Sequence, residues 1–131
     1  MEDNPANRAT INDYRDLNVW KVSMDLAADI YTQTKTFPRE EMFGMTAQMR
    51  RAAASIPANI AEGFGRAQRK NFIQFLRIAQ GSLKELETHT ILAARVGLLE
   101  GASATLLAAR YERLGKMMLS FIRSLEKGGK Q

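Results

Sequence analysis

Few residues in this chain can carry covalent or metal chemistry. The 131-residue sequence has no cysteine and a single histidine, His89, which removes thiolate nucleophiles, disulfides and thiolate-held zinc or iron–sulfur sites. A lone histidine also cannot supply the paired Glu-x-x-His motifs that hold two irons inside a helical bundle. Serine beside lysine is what remains for nucleophilic catalysis, and no spacing here favours it. His89 follows Glu85 by one helical turn, the spacing of a surface or interface ion pair. A P-loop is excluded, because no strand precedes the glycines at Gly63 and Gly65 and GxxxxGK[ST] does not occur. The sequence therefore predicts no catalytic residue, no metal site and no cofactor.

What the chain does have is positive charge in two places. The net charge is +5, but residues 46–70 hold five cations against one acid and residues 101–131 six against two. Such asymmetry attracts phosphate or acidic protein surfaces and says nothing about fold. Met1 to Asn12 lacks the pattern of a signal peptide, and 18 apolar residues never run together, so a cytoplasmic protein with no membrane partner is expected.

The elements that position these charges read as helices. Proline is confined to positions 5, 38 and 57 and valine is rare, so local propensity favours helix nearly everywhere after Leu17. The first helix is predicted from Val19 to about Thr36, with Asn18 as N-cap. Its broad apolar face comprises one row of Trp20, Met24, Ala27 and Tyr31 and another of Val19, Val22, Leu26 and Ile30. The second begins between Glu40 and Thr46 and stops at Gly63-Phe64-Gly65. The third runs from about Arg69 to Val96, and the fourth from about Ser103 to Lys127 with a heptad of Leu107, Tyr111, Leu114, Met118, Phe121 and Leu125. Short connections make consecutive helices antiparallel, which predicts an all-α, up-down-up-down four-helix bundle over residues 14–127. Residues 1–13 and 128–131 are expected to be flexible termini.

The second helix divides into three faces. Met49, Ala53, Ile56, Ile60 and Phe64 form a core face. Gln48, Arg51, Ser55, Asn59, Glu62 and Arg66 make an unbroken polar row beside it. Ala47, Ala54, Ala58, Ala61 and Gly65 make a third face of small residues only, which either invites close approach of another backbone or simply supplies helix propensity. Pro57 inside this helix frees the Ala53 carbonyl and predicts a kink. Ser55 and Asn59 then either satisfy backbone groups or a neighbouring helix, or line a groove or subunit interface.

Ser55-Ile56-Pro57-Ala58-Asn59-Ile60-Ala61-Glu62-Gly63, then Gly65-Arg66, then Ile78-Ala79-Gln80-Gly81-Ser82-Leu83-Lys84-Glu85-Leu86-Glu87 resemble the 23S rRNA-intervening-sequence protein family, also called the bacterial four-helix-bundle proteins. Tyr14-Arg15-Asp16-Leu17-Asn18-Val19-Trp20 and Phe37-Pro38 resemble it too, so the likeness spans Tyr14 to Lys127. The resemblance implies an antiparallel four-helix bundle that assembles into a ring-like homopentamer, with no enzymatic activity. Some members are encoded inside insertions in large-subunit rRNA genes. Others are relatives of the accessory protein of diversity-generating retroelements, a basic pentamer that engages nucleic acid and a reverse transcriptase. Antiparallel pairing about a turn near residue 67 places Ser82 and Glu85 close to Arg51, and a buried Glu85–Arg51 pair is the structural role expected for the family motif.

The chain departs from the family at the start of the third helix, where Gln68 and Asn71 replace a Ser or Thr and an acid three residues on. First-turn amides left free beside Arg66, Arg69 and Lys70 are the ingredients of an anion site, or of a frayed, solvated turn. The fourth helix carries Arg113, Lys116, Arg123 and Lys127 along one stripe of about 20 Å, interrupted by Ser120. Glu112 is placed to pair with Lys116 and Glu126 with Lys130. No aromatic platform, zinc finger or helix-turn-helix is present, so RNA or DNA, rRNA included, would be held by its backbone phosphates. The alternative is a scaffold docking an acidic partner, such as a nucleic-acid-processing enzyme.

Overall fold

Alanine-rich, proline-poor stretches form four helices in the computed structural model, which describes residues 11–128. These are α1 (Asn18–Thr34), α2 (Met45–Gly65), α3 (Arg69–Arg95) and α4 (Gly101–Gly128), with 3-10 turns at Tyr14–Asp16 and Arg39–Glu41. Among the described residues there is no strand. Close contacts join α1 to α2, α2 to α3, α3 to α4 and α4 back to α1, while the diagonal pairs α1/α3 and α2/α4 make none. This is the predicted up-down-up-down bundle. The outer parts of the expected flexible termini, residues 1–10 and 129–131, lie outside the described residues.

The predicted core faces pack inward. Leu26 and Ile30 of α1, Met49, Ile56 and Ile60 of α2, Leu76 and Leu86 of α3 and Leu114 and Met118 of α4 are fully buried, but the α4 seam then shifts by one residue to the fully buried Ile122, leaving the predicted Phe121 and Leu125 partly buried. Thr90 and Tyr111 share a buried hydrogen bond of 2.7 Å across α3 and α4, which lets a phenol sit in an apolar layer without an unsatisfied hydroxyl. Phe64, Phe72 and Phe121 form a chain of edge-to-face contacts, at 5.8 and 5.5 Å between centroids, that ties α2, α3 and α4 together at one end.

Two helix boundaries differ from the sequence expectation. Asn18 is the first residue of α1 rather than its cap, and the extended, buried Leu17 at the cap position makes no side-chain bond. The capping chemistry lies one element earlier: Asp13 accepts from the Arg15 amide at 2.8 Å, and Asp16 accepts from Asp13 at 3.2 Å and Asn12 at 2.7 Å. Those amide donors hold the Asp16 carboxyl below its usual range. α2 likewise runs through Gly65, and the left-handed residue of the following turn is Ala67, with φ of 61°. α2 is continuous through Pro57, whose ring is buried.

Gly63 is needed for packing rather than for the turn. A Cβ at this position would lie 2.6 Å from the Phe75 Cβ and 3.1 Å from the Phe72 Cδ1, so α3 rides directly over the α2 backbone. Gly81, in the middle of α3, has nothing within 4 Å of the same construction. Opposite signs are therefore expected in urea denaturation. Gly63→Ala should destabilise by about 1–3 kcal/mol through overpacking, whereas Gly81→Ala should stabilise by about 0.5–1 kcal/mol through helix propensity. A neutral Gly63→Ala would show that the helices separate without cost.

Candidate functional site

Register between α2 and α3 decides which candidate residues meet. Ser55 Oγ lies 2.8 Å from Ser82 Oγ, and the Asn59 amide donates to the Ser55 carbonyl at 2.8 Å and to its hydroxyl at 3.0 Å. Ser55 and Asn59 thus serve the neighbouring helix and their own backbone, while Gln48 with Arg51 and Glu62 with Arg66 pair on the outer surface. The expected Glu85–Arg51 pair does not form. Arg51 is exposed and donates to Gln48 within its own helix at 3.3 Å, while Glu85 faces solvent 3.6 Å from His89 Nε2. The physical reason is rotational: the helix turn that aims Ser55 at α3 carries Arg51 past the seam to the outer surface. His89 is half-buried, and its Nε2 has no hydrogen-bond partner among the described residues. No cluster of three or more His, Asp or Glu able to hold a metal occurs among the described residues.

A structural residue that the sequence reading passed over is Arg50. Its Nε donates to Thr34 Oγ1 at 2.9 Å and a terminal nitrogen to the Tyr31 carbonyl at 3.3 Å, and its guanidinium lies 4.6 Å from the Tyr31 ring centroid. It closes the C-terminal end of α1, where carbonyls lack intrahelical partners. The signal available was a cation next to Arg51 on a different face of the wheel.

Outer surfaces fall into two kinds. Ala54, Pro57, Ala58 and Ala61 of α2 and Trp20, Met24, Ala28 and Tyr31 of α1 line an open apolar groove of about 450 Å³. Met24 and Tyr31, expected in the apolar face of the first helix, are 42% and 44% exposed on its rim. The apolar arc of α1 is wider than one neighbouring helix can cover, so its outer row is left over. The third face of α2, Ala54 and Ala58 included, is largely open to solvent.

The second surface is the outward side of α4, opposite its buried Leu107, Tyr111, Leu114, Met118 and Ile122. Lys116, Arg123 and Lys127, with Ser120 and Ser124, line a shallow groove of about 560 Å³, and Arg113 is exposed on its flank. Lys116 is paired with Glu112 at 3.4 Å, as expected. Glu126 instead pairs with Arg77 of α3 at 2.7 Å, and Lys130 lies outside the described residues. No carboxylate among the described residues is within ion-pair distance of Arg113, Arg123 or Lys127.

The three cations near the α2–α3 turn do not converge on one point. Arg66 is held by Glu62 at 3.2 Å and stacks 5.1 Å from the Phe75 centroid. Arg69 leans towards the end of α4, its guanidinium 3.7 Å from a Cβ placed on Gly128. Lys70 is exposed. Gln68 makes no side-chain cap, and its Oε1 instead accepts from Asn71 at 3.1 Å.

An all-α bundle with a serine-bridged α2–α3 seam, open apolar grooves between α1 and α2 and between α1 and α4, and a basic outer face on α4 is the class of protein this geometry defines. The family model of the 23S rRNA-intervening sequence proteins matches residues 15–120, and the chain belongs to that family. It is also similar to a crystal structure of a protein of unknown function from the S23 ribosomal protein family of Bacteroides thetaiotaomicron. The two share 28% identity and a TM-score of 0.73, over 79% of this chain and 97% of the other. No curated protein matches the chain.

The contrast between neighbouring arginines is directly testable. Arg50→Ala should cost about 1–2 kcal/mol in chemical denaturation, for the lost hydrogen bonds and ring contact. Arg51→Ala should stay within about 0.5 kcal/mol of the parent. The reverse order would restore the buried Glu85–Arg51 pair.

Proposed function

We propose that this protein works as a homo-oligomer, a pentamer by its family resemblance, which presents the α4 faces of its subunits to the phosphate backbone of nucleic acid, with rRNA as the first candidate. The observation that carries the reading is the separation of the two surfaces. The apolar groove lies between α1 and α2 and the basic groove on the outer side of α4, a helix diagonal to α2 that packs on α1; the two grooves share no lining residue. Subunits joined through α1 and α2 keep α4 free. Several copies then multiply a modest field, because each added set of cations acts on the same polyanion.

The apolar face supports the assembly half of this reading. A contiguous groove bearing Trp20, Met24 and Tyr31 beside a flat floor of alanine is the kind of exposed surface that marks association in a water-soluble protein. Alanine at 54 and 58 lets a second backbone approach. Light scattering at micromolar concentration should therefore give an oligomer. Ala54→Leu or Ala58→Leu should dissociate it with circular dichroism unchanged. A monomeric parent, or assembly that survives both changes, removes the α1/α2 interface.

The binding half predicts a steep salt dependence. Each phosphate neutralised releases condensed counterions, so the logarithm of affinity should fall linearly with the logarithm of salt and vary little with sequence. Arg113→Glu with Lys116→Glu should weaken binding far more than Arg69→Glu with Lys70→Glu, since the second pair lies beside a turn whose cations point apart. Fluorescence anisotropy on labelled RNA and DNA checks both. Absence of binding at about 50 mM salt, where non-specific contacts of this strength are visible, refutes the nucleic-acid reading and leaves the scaffold for an acidic protein partner.

A further inference from the structure

Resting on the reading above, we infer that the α4 face is built for the paired backbones of a duplex rather than for a single strand. No aromatic ring lines the groove of Lys116, Arg123 and Lys127, although the half-buried Phe121 borders the adjoining apolar groove that Lys116, Ser120 and Ser124 also line. Tyr111 is buried against Thr90, and Phe121 packs on Phe72. Tyr14, Trp20 and Tyr31 belong to the α1/α2 side of the bundle, the exposed Phe43 to the α1–α2 connection, and the half-buried Phe64, Phe72 and Phe75 to its α2–α3 end. Proteins that hold single strands combine a basic groove with aromatic side chains on which successive bases stack. Here the groove offers only Lys116, Leu119, Ser120, Arg123, Ser124 and Lys127.

Charge density points the same way. A duplex carries one negative charge per about 1.7 Å of axis, against about 3.4 Å for each strand, so a surface with no affinity for bases gains most from the double-stranded form. Spacing fits as well. Arg123 and Lys127 are four residues apart, about 6 Å along the helix, and Lys116 lies seven residues before Arg123, about 10.5 Å away. The longer interval approaches the width of a duplex groove, about 12 Å for the major groove of B-form DNA. Arg123 and Lys127 can follow one strand while Lys116 reaches the strand across that groove. Ser120 and Ser124, between them, supply hydroxyl donors for the same phosphates. Asparagine and glutamine, the usual readers of adenine, are missing from the groove, and its cations are spent on the phosphates of the two strands.

The test compares three labelled probes of equal length against the full chain, by anisotropy at matched salt. They are an unstructured single-stranded RNA, the same RNA annealed to its complement, and the corresponding DNA duplex. The duplexes should bind about tenfold more tightly than the single strand, with a steeper salt slope. Arg123→Glu with Lys127→Glu should abolish that preference while thermal unfolding stays cooperative. The two duplex arms report whether RNA or DNA is favoured. Equal or tighter binding of the single strand overturns the inference and leaves the phosphate-binding function standing. The same holds if the duplex preference survives the double reversal. Polyglutamate of similar length competing as well as the duplexes also overturns it, by showing a general polyanion surface. No binding to any of the three probes defeats the function on which the inference rests.

Discussion

The close passage of α3 over Gly63 is the contact from which the rest of the bundle takes its geometry. With no Cβ on Gly63, the Phe72 and Phe75 side of α3 reaches the α2 backbone, and two helices joined by so short a turn are then fixed in separation and register together. Two turns further along, that register sets Ser55 against Ser82 at 2.8 Å. It also seats Phe72 between Phe64 and Phe121, which brings α4 onto the pair. A larger residue at 63 would have to lever the helices apart, and every downstream contact depends on their not doing so.

This constraint explains why the family-like motif is mostly small and polar. Ser55, Asn59 and Ser82 satisfy one another and a backbone carbonyl within a narrow seam. Short hydroxyl and amide side chains can do that without spreading the helices, whereas a buried arginine–glutamate pair needs room and carries a large desolvation penalty. Arg51 and Glu85 accordingly lie outside the seam, and the arginine with a structural role is Arg50, at the end of α1.

Helix number, order and core were legible in the sequence because the 3.6-residue pattern is strong in all four segments and proline marks few breaks. Met49, Ile56, Ile60, Leu114 and Met118 are where periodicity places them. Rotation within a face was harder to read. Met24 and Tyr31 carry the same apolar signal as Leu26 and Ile30, and only the position of the second helix tells which row is covered. Partner choice among charges was also hidden: Glu126 has a cation four residues on, yet it reaches Arg77 across α3. Local spacing identifies neighbours on one helix, and side chains this long reach across helices just as easily. The same reach turns Arg66 away from Arg69 near the α2–α3 turn, so a cluster dense in sequence is dispersed in space.

The placement of the two outer surfaces has an electrostatic logic. Packed helix axes lie about 8–10 Å apart, so diagonal helices in a square bundle are separated by roughly 11–14 Å. That exceeds the Debye length of about 8 Å at physiological ionic strength. Cations on the far side of α4 are farther still from the alanine face of α2, although α4 itself packs on α1. On α1 or α2 the same cations would oppose association directly. The alanine face of α2 is bordered on one side by the polar row of Arg51 and Glu62, the latter already paired with Arg66, and on the other by Arg50, which is tied to the end of α1. The basic groove of α4 and the apolar groove between α1 and α2 share no lining residue, so a change in one leaves the side chains of the other in place.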